Sequence, residues 1–321
     1  MKILPIDRHQ YAARLQASEQ DCPFLAPEWL EAAADSVNGR VRFLASEELR
    51  GLLPLVEREF GPVRIAGSPL RKTGTPVALP LPCAPGEERR WLSEVANWAK
   101  ASSCALVQVT SPIPPEPEWG CDRVELFENL EIDLSVSCDA LWKQLSDLPR
   151  RMIKRALRNG FKAHLSPNSG ASGHHQSLVN GIYAMQNQKP IYKKRHYAAV
   201  QTPPLARALD TLSISRNGRV VGSLMSLRDA QRAYYWDVAV EHDARAEGAG
   251  HLLLWAWLRW CKRHGLQTAD LMGPPSGGRG SSRPGIGRFK LSFGARPRPY
   301  WILYWHSWWA GKALDLARKL S

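Results

Sequence analysis

The sequence predicts an α/β protein, with α and β elements mixed around mixed sheets, in two tandem domains, residues 1–138 and 139–321. Three observations predict it. At 321 residues with 44% hydrophobic side chains, the chain is long for one core and comfortable for two. Short runs of β character alternate with stretches of helical periodicity along its whole length. Charge is divided unequally, with 15 Lys+Arg against 22 Asp+Glu in residues 1–149 and 28 against 8 in residues 150–321. A half this basic concentrates anionic partners such as nucleic acid, acidic proteins, phosphorylated coenzymes or an anionic membrane surface.

In the first domain, RVRFLA and LRGLLPLVER read as a strand pair around a polar turn. EERRWLSEVANWAKAS is an amphipathic helix, and CALVQVT and NLEIDLS are further strands. Proline-rich joints, SPLRKTGTPVALPLPCAP and TSPIPPEPEWG, separate these elements.

The second domain opens with CDALWKQLSDLPRRMIKRALRNG, a helical pair with Gly160 as C-cap, and the strand FKAHLS. SPNSGASGHHQ reads as a flexible connection. HQSLVNGIYAMQNQ and RHYAAVQTPPLARAL are helical, the second broken by Pro203 and Pro204. TLSISRNGRVVGSLMSLRD is a hairpin turning at Asn217-Gly218. AYYWDVAV is a third strand, followed by a helix from about 249 to 264 and the buried strand LQTADLMG. A Gly/Ser/Arg loop, the segment RFKLSFGA, and a terminal strand and helix complete the chain. The two hairpins repeat weakly, placing Gly51 against Gly222, as duplication of a domain would.

Between the strand AYYWDVAV and the following helix, Arg245, Gly248 and Gly250 spell R-x-x-G-x-G. A helix start offers unpaired N–H groups and the positive end of the dipole, and glycines let a phosphate approach the main chain. Arg245 adds a fixed charge. The alternative is a tight turn that merely begins a helix.

The element order over residues 150–305, with that loop, resembles the GNAT acyltransferase fold, in which the pyrophosphate of acyl-CoA sits on a Q/R-x-x-G-x-G/A loop. The resemblance implies coenzyme contacts from Arg245, Gly248, Ala249 and Gly250, and from Val238 and Val240 on the strand beside the thioester. PFLAPEWLEAA, LRGLLPLVER, LPRRMIKRALRNGFKAHL and RFKLSFGARPRPYW are similar to the FemAB-like branch. That branch has two tandem GNAT-like domains and includes peptidoglycan aminoacyl transferases fed by aminoacyl-tRNA. What it implies here is an N-acyltransferase moving an acyl group from acyl-CoA or an acyl carrier protein's phosphopantetheine thioester to an amine acceptor, small molecule or peptide, without a metal. The alternative is an aminoacyl-tRNA-dependent transferase acting on a cell-envelope or peptide acceptor. The long coiled-coil arm of several Fem ligases has no counterpart, and the complete glycine loop leans towards CoA. A third reading, of another class, is a non-catalytic scaffold that binds nucleic acid or a membrane surface.

Attack of an amine on a thioester needs a base for the ammonium, donors for the oxyanion and an acid for the thiolate. Asp237, within the strand, and Glu241, just past its end, are the candidate bases. Tyr235 shares the face of Asp237 by period-two alternation and is a candidate donor to the thiolate, or a core aromatic. Lys290 matches a lysine that Fem-like enzymes place near the transferred acyl group, which implies a donor to the carbonyl or acceptor. Arg151, Lys154 and Arg155 lie on one basic helical face suited to an anionic acceptor or a tRNA backbone.

Other chemistries are disfavoured. The six cysteines show no C-x-x-C and fit reduced thiols in a cytosol. His174-His175 has no partners at zinc-ligand spacing, and no G-x-S-x-G elbow occurs. The N-terminus lacks a signal sequence, and HLLLWAWLRWC meets Arg259 too early to span a bilayer. A cytoplasmic protein is expected. The C-terminal helix carrying Trp305, Trp308, Trp309, Leu316 and Leu320 along one side either packs on the protein or touches the inner face of the membrane.

Overall fold

The computed structural model describes residues 2–18, 22–68, 80–167, 172–273 and 284–307. Its strands are β1 (Ile3–Pro5), β2 (Arg40–Ser46), β3 (Leu52–Phe60), β4 (Val63–Ser68), β5 (Leu106–Ser111), β6 (Arg123–Asp133), β7 (Lys162–Pro167), β8 (Leu209–Arg216), β9 (Arg219–Arg228), β10 (Arg232–Val240), β11 (Thr268–Asp270) and β12 (Arg296–His306). The chain divides into two compact units, Met1–Glu128 with Pro299–Ser321, and Asn129–Arg298. The border falls a little before the change in composition, and the C-terminal strand belongs with the first unit.

In the first unit the strand order is β1-β2-β3-β4-β5-β12, antiparallel except for the parallel pair β4–β5. Its first helix, Arg8–Ala17, starts in a capping box: Asp7 accepts from the Gln10 amide at 2.8 Å, and Gln10 accepts from the Asp7 amide at 3.1 Å. The helix Glu88–Ala101 buries Trp91, Leu92, Val95, Ala96 and Ala99, a single face, against Leu53, Leu55, Val107 and Val109. Gly51 is obligatory there, because a Cβ would meet the Trp91 ring at 2.3 Å.

In the second unit the order is β6-β11-β10-β9-β8-β7, antiparallel except for the parallel pair β10–β11. Each unit therefore runs four antiparallel strands, one parallel strand and one closing antiparallel strand. The hairpins β2–β3 and β8–β9 hold equivalent places, as the Gly51/Gly222 repeat predicts. Asn217 and Gly218 turn β8 into β9 with φ of 51° and 76°, the conformation of a tight hairpin turn.

The core of this unit forms where the helix Ala249–Arg263 lays Leu253, Leu254, Trp257, Leu258 and Cys261 on Leu212, Ile214, Val221 and Leu224. Each large side chain so buried contributes about 1.5–3 kcal/mol. The helix Asp147–Arg158 buries Ile153 and Ala156 in the same core and ends at Asn159, with Gly160 left-handed at φ 78°.

Three local expectations are revised. SPNSGASGHHQ is not a connection throughout, because the helix Ser172–Met185 begins inside it and carries His174 and His175. Burial of His175 and Val179 against β9 and β10 outweighs the poor helix propensity of Gly173 and Gly181. The stretch read as a Gly/Ser/Arg loop likewise gives way early, because the helix Pro284–Leu291 begins inside it and carries Lys290. Pro203 and Pro204 break the next helical stretch as predicted, leaving Lys194–Ala199 and Leu205–Ala208. Trp305, expected on a C-terminal helix, instead lies buried in β12, and the remainder of that expected helix, from Trp308 onward, falls outside the described residues. No described helix is long and apolar enough to cross a membrane, and no cysteine is in a disulfide.

Candidate active site

β10 and β11 part company early. They pair only from Arg232↔Thr268 to Tyr234↔Asp270, while β10 continues to Val240 with β9 still hydrogen-bonded on its other edge. Met272, at φ 55°, turns the chain just past the end of β11. Beyond Tyr234, β10 has no pairing with β11 among the described residues, and around Val238 its inner edge is of the kind to which an extended guest adds.

That edge leads straight into the glycine loop. The helix Ala249–Arg263 has no side-chain cap, so the N–H groups of its first turn are not satisfied by a neighbouring side chain. The two glycines have different causes. Gly248 sits at φ 98°, and a Cβ there would meet the Met152 carbonyl oxygen at 2.3 Å, so it is fixed by the crossing of the helix Asp147–Arg158. A Cβ on Gly250 would meet nothing within 4 Å. Ala249 is fully buried. Arg245 turns back to donate from Nη2 to the Val240 carbonyl at 2.9 Å, tying the loop to the strand end. The acid of the loop, Glu247, is neutralised by Arg216 at 2.7 and 2.8 Å and by Asn159 at 2.8 Å, and these bonds hold its carboxyl below the usual range.

On β10 itself a bulge interrupts the alternation, since three residues from Tyr234 to Asp237 oppose two from Leu227 to Met225. The expectation that Tyr235 and Asp237 share a face is corrected by this bulge. Tyr235 packs its ring on Trp257, 5.3 Å between centroids, beneath the helix Ala249–Arg263. Burial drives its hydroxyl pKa up. Trp236 and Asp237 both turn to the other face, where the rings of Tyr192 and Tyr197 stand 5.1 and 5.9 Å from that of Trp236.

There, Asp237 Oδ2 accepts from the Tyr197 hydroxyl at 2.5 Å and is bonded to His175 Nε2 at 3.0 Å. His175 is fully buried, and its Nδ1 has no hydrogen-bond partner among the described residues. Burial and then the charge of Asp237 push the Tyr197 hydroxyl far up, so it remains a donor.

Near the end of β11 a second polar group gathers. Asp270 is buried, accepts from the Met272 amide at 2.7 Å and from Asn129 at 3.1 Å, and lies 3.6 Å from Arg232. Burial, then the neighbouring Glu131, push its carboxyl up to about 6. Lys290 reaches over from its helix and donates to the Met272 carbonyl. Burial pushes its ammonium down to about 8, with Asp270 opposing.

Residues 150–290 match the acetyltransferase (GNAT) domain family. The matched stretch lies within the second unit. No curated protein matches the chain by sequence. The crystal structure of FemX is similar to it with a TM-score of 0.69 at 11% identity, covering 94% of this chain and 97% of FemX. A domain named as the C-terminal part of a lysylphosphatidylglycerol synthetase from Agrobacterium fabrum scores 0.65 at 14% identity, over 98% of both chains. A tandem GNAT protein of the clavulanic acid biosynthesis pathway scores 0.51 at 12%, over 94% of this chain and 97% of that one. These likenesses are of fold, a mixed α/β fold that one of these structures builds as a tandem GNAT protein.

Within the matched stretch, the structure joins Val238, Val240, Arg245, Gly248, Ala249 and Gly250 into one continuous strand end and helix start. It separates the two candidate bases. Glu241 is held end-on by Arg219 at 2.7 and 2.6 Å, whereas Asp237 keeps Oδ1 free of any bond from a described residue. Arg151 and Lys154 line a cavity of about 420 Å³ together with Trp142, Asp147 and Arg150. Arg155, exposed on the same helix, faces Glu247 electrostatically instead. His175 enters the sequence reading only as a zinc ligand, and Tyr197 and Trp142 have no role there. The first lay in a stretch taken for a connection, and no periodicity links it to a strand residue 62 positions away.

Proposed function

We propose that this protein is an N-acyltransferase that moves an acyl group from a CoA or acyl-carrier-protein thioester to an amine. One observation carries the reading: β10, past the end of its pairing with β11, runs into an uncapped helix start where Gly250 leaves open space. An extended pantetheine arm fits such an edge as a strand would, and a pyrophosphate fits the helix start. Val238 and Val240 would offer main-chain groups to the arm, and Ala249 and Gly250 their amides to the phosphates. Arg245 would shape the loop through Val240 and lend its charge, and Gly248 would allow the close helix crossing.

Asp237 is the base in this reading, because Glu241 is already committed to Arg219. Lys290, on the β11 side of the opening, is the donor that would meet negative charge developing on the acyl oxygen. Tyr235 serves as a core aromatic. Arg151, Lys154 and Arg155 supply positive charge for an anionic part of the substrate. The setting is a cytosol, where thiols stay reduced.

The cavity beside Trp142, with Arg150, Arg151 and Lys154, favours a second reading in which the donor is aminoacyl-tRNA, since cations with a ring suit a phosphate chain bearing a base. The resemblance to FemX and to a lysylphosphatidylglycerol synthetase is of the same tenor. Release of free thiol from acetyl-CoA and longer acyl-CoAs with a panel of primary amines tests the first reading. Consumption of charged tRNA, lost in Arg151→Glu with Lys154→Glu, tests the second. If neither donor is consumed, both fail and the scaffold reading stands.

A further inference from the structure

A carboxylate on a strand turns freely about two side-chain bonds, and a base that turns freely spends little time facing its substrate. Asp237 does not turn freely. Two donors from two helices converge on a single oxygen, Oδ2: the Tyr197 hydroxyl at 2.5 Å from Lys194–Ala199, and His175 Nε2 at 3.0 Å from Ser172–Met185. Because Tyr197 remains protonated, Oδ2 is an acceptor, so the hydrogen of His175 lies on Nε2 and its buried Nδ1 is bare.

Packing alone does not call for this arrangement. Trp236 and Val179 already bury apolar surface between these helices and the sheet, and a buried His and Asp in their place cost more than apolar residues of the same size. The bulge in β10 is what delivers Asp237 to the pair, since regular alternation would aim it at the opposite helix.

We propose that His175 and Tyr197 are positioning residues which hold Asp237 by Oδ2, so that Oδ1 receives the proton of the incoming ammonium. The proposal rests on the acyl-transfer reading above. The ammonium gives one proton to Oδ1, and the freed lone pair forms the N–C bond to the thioester carbonyl. The C–S bond breaks with its electrons on sulfur, the thiolate takes a second nitrogen proton, and Asp237 returns the first to solvent. The products are an amide, a thiol and one proton. The titratable groups facing Asp237 are His175 and Tyr183 from one helix and Tyr192 and Tyr197 from the other segment, with apolar Met225 opposite it on β9.

The test follows thiol release from acetyl-CoA with primary amines as a function of pH. His175→Ala and Tyr197→Phe should each lower kcat about tenfold or more, against about 10²–10⁴-fold for Asp237→Ala. Both should leave the KM for acetyl-CoA unchanged, so that the loss falls on kcat alone. His175→Gln, which returns an N–H donor, should recover most of the rate. Variants that lower Tm but keep the wild-type kcat would overturn the proposal. Should the wild type turn over no thioester, the acyl-transfer reading fails, and ¹⁵N NMR still decides the positioning. His175 should carry its proton on Nε2 and lose that preference in Asp237→Ala; a proton on Nδ1, or no response, overturns it.

Discussion

The carbonyl oxygen of Met152 occupies the space that a Cβ on Gly248 would need, 2.3 Å from where that atom would stand. A helix of the basic face thereby fixes the first glycine of the loop by packing, independently of any ligand. Gly248→Ala must strain a left-handed backbone and displace that helix. The expected loss is about 1–3 kcal/mol or more, measured by denaturant unfolding. An unchanged midpoint would show that the helices do not cross this closely.

Gly250 should behave in the opposite way. Its Cβ would meet nothing, and alanine inside a helix is favoured over glycine, so Gly250→Ala should stabilise the protein by about 0.5–1 kcal/mol. Chemical denaturation of the two alanine variants side by side checks the contrast.

This division was not legible in the sequence. R-x-x-G-x-G announces a helix start after a strand, and the hairpin at Asn217-Gly218, its weak repeat in the first domain and the apolar face of Ala249–Arg263 were all readable from local pattern. What pattern cannot supply is which glycine touches another helix and which faces open space. It missed the bulge for the same reason: the extra residue between Tyr234 and Asp237 has no signature, yet it reverses the face of everything after it. Asp237 was singled out from its strand, but its partners His175 and Tyr197 come from segments of low or interrupted helical propensity, organised by tertiary contact.

Glu241 and Asp237 should separate cleanly in activity. Glu241→Gln breaks an exposed ion pair with Arg219 and should leave both stability and thiol release near wild type. Asp237→Asn should cost about 10²–10⁴-fold in rate. The reverse ranking would transfer the base to Glu241.

Stability should depend on pH in two windows. His251 stacks on Phe289 and Phe293, and burial pushes its imidazole down to about 4. Between about 4 and the unfolded value near 6.5 the unfolded chain binds the extra proton, so the contribution of His251 to stability falls as pH falls through that window. Asp270, raised to about 6, contributes the opposite slope between its unfolded value and 6, stabilising as pH falls. His251→Phe should therefore remove one slope and expose the other in unfolding curves taken across acid pH.

Lys290 titrates on the alkaline side. With its ammonium lowered to about 8, the unfolded chain binds more protons between 8 and about 10.5, and stability should rise with pH across that range. Lys290→Met should flatten this rise and stabilise the protein at neutral pH while lowering thiol release. A variant with full turnover would remove Lys290 from the site.

The central claim, that the β10 edge and the helix start seat a phosphorylated thioester arm, is tested most directly by calorimetric titration of CoA into the wild type and Gly250→Val. The account predicts binding to the wild type and its loss in a variant that folds with equal or greater stability than wild-type protein at the same pH. Equal CoA affinity in the two proteins, or none in the wild type, would contradict it.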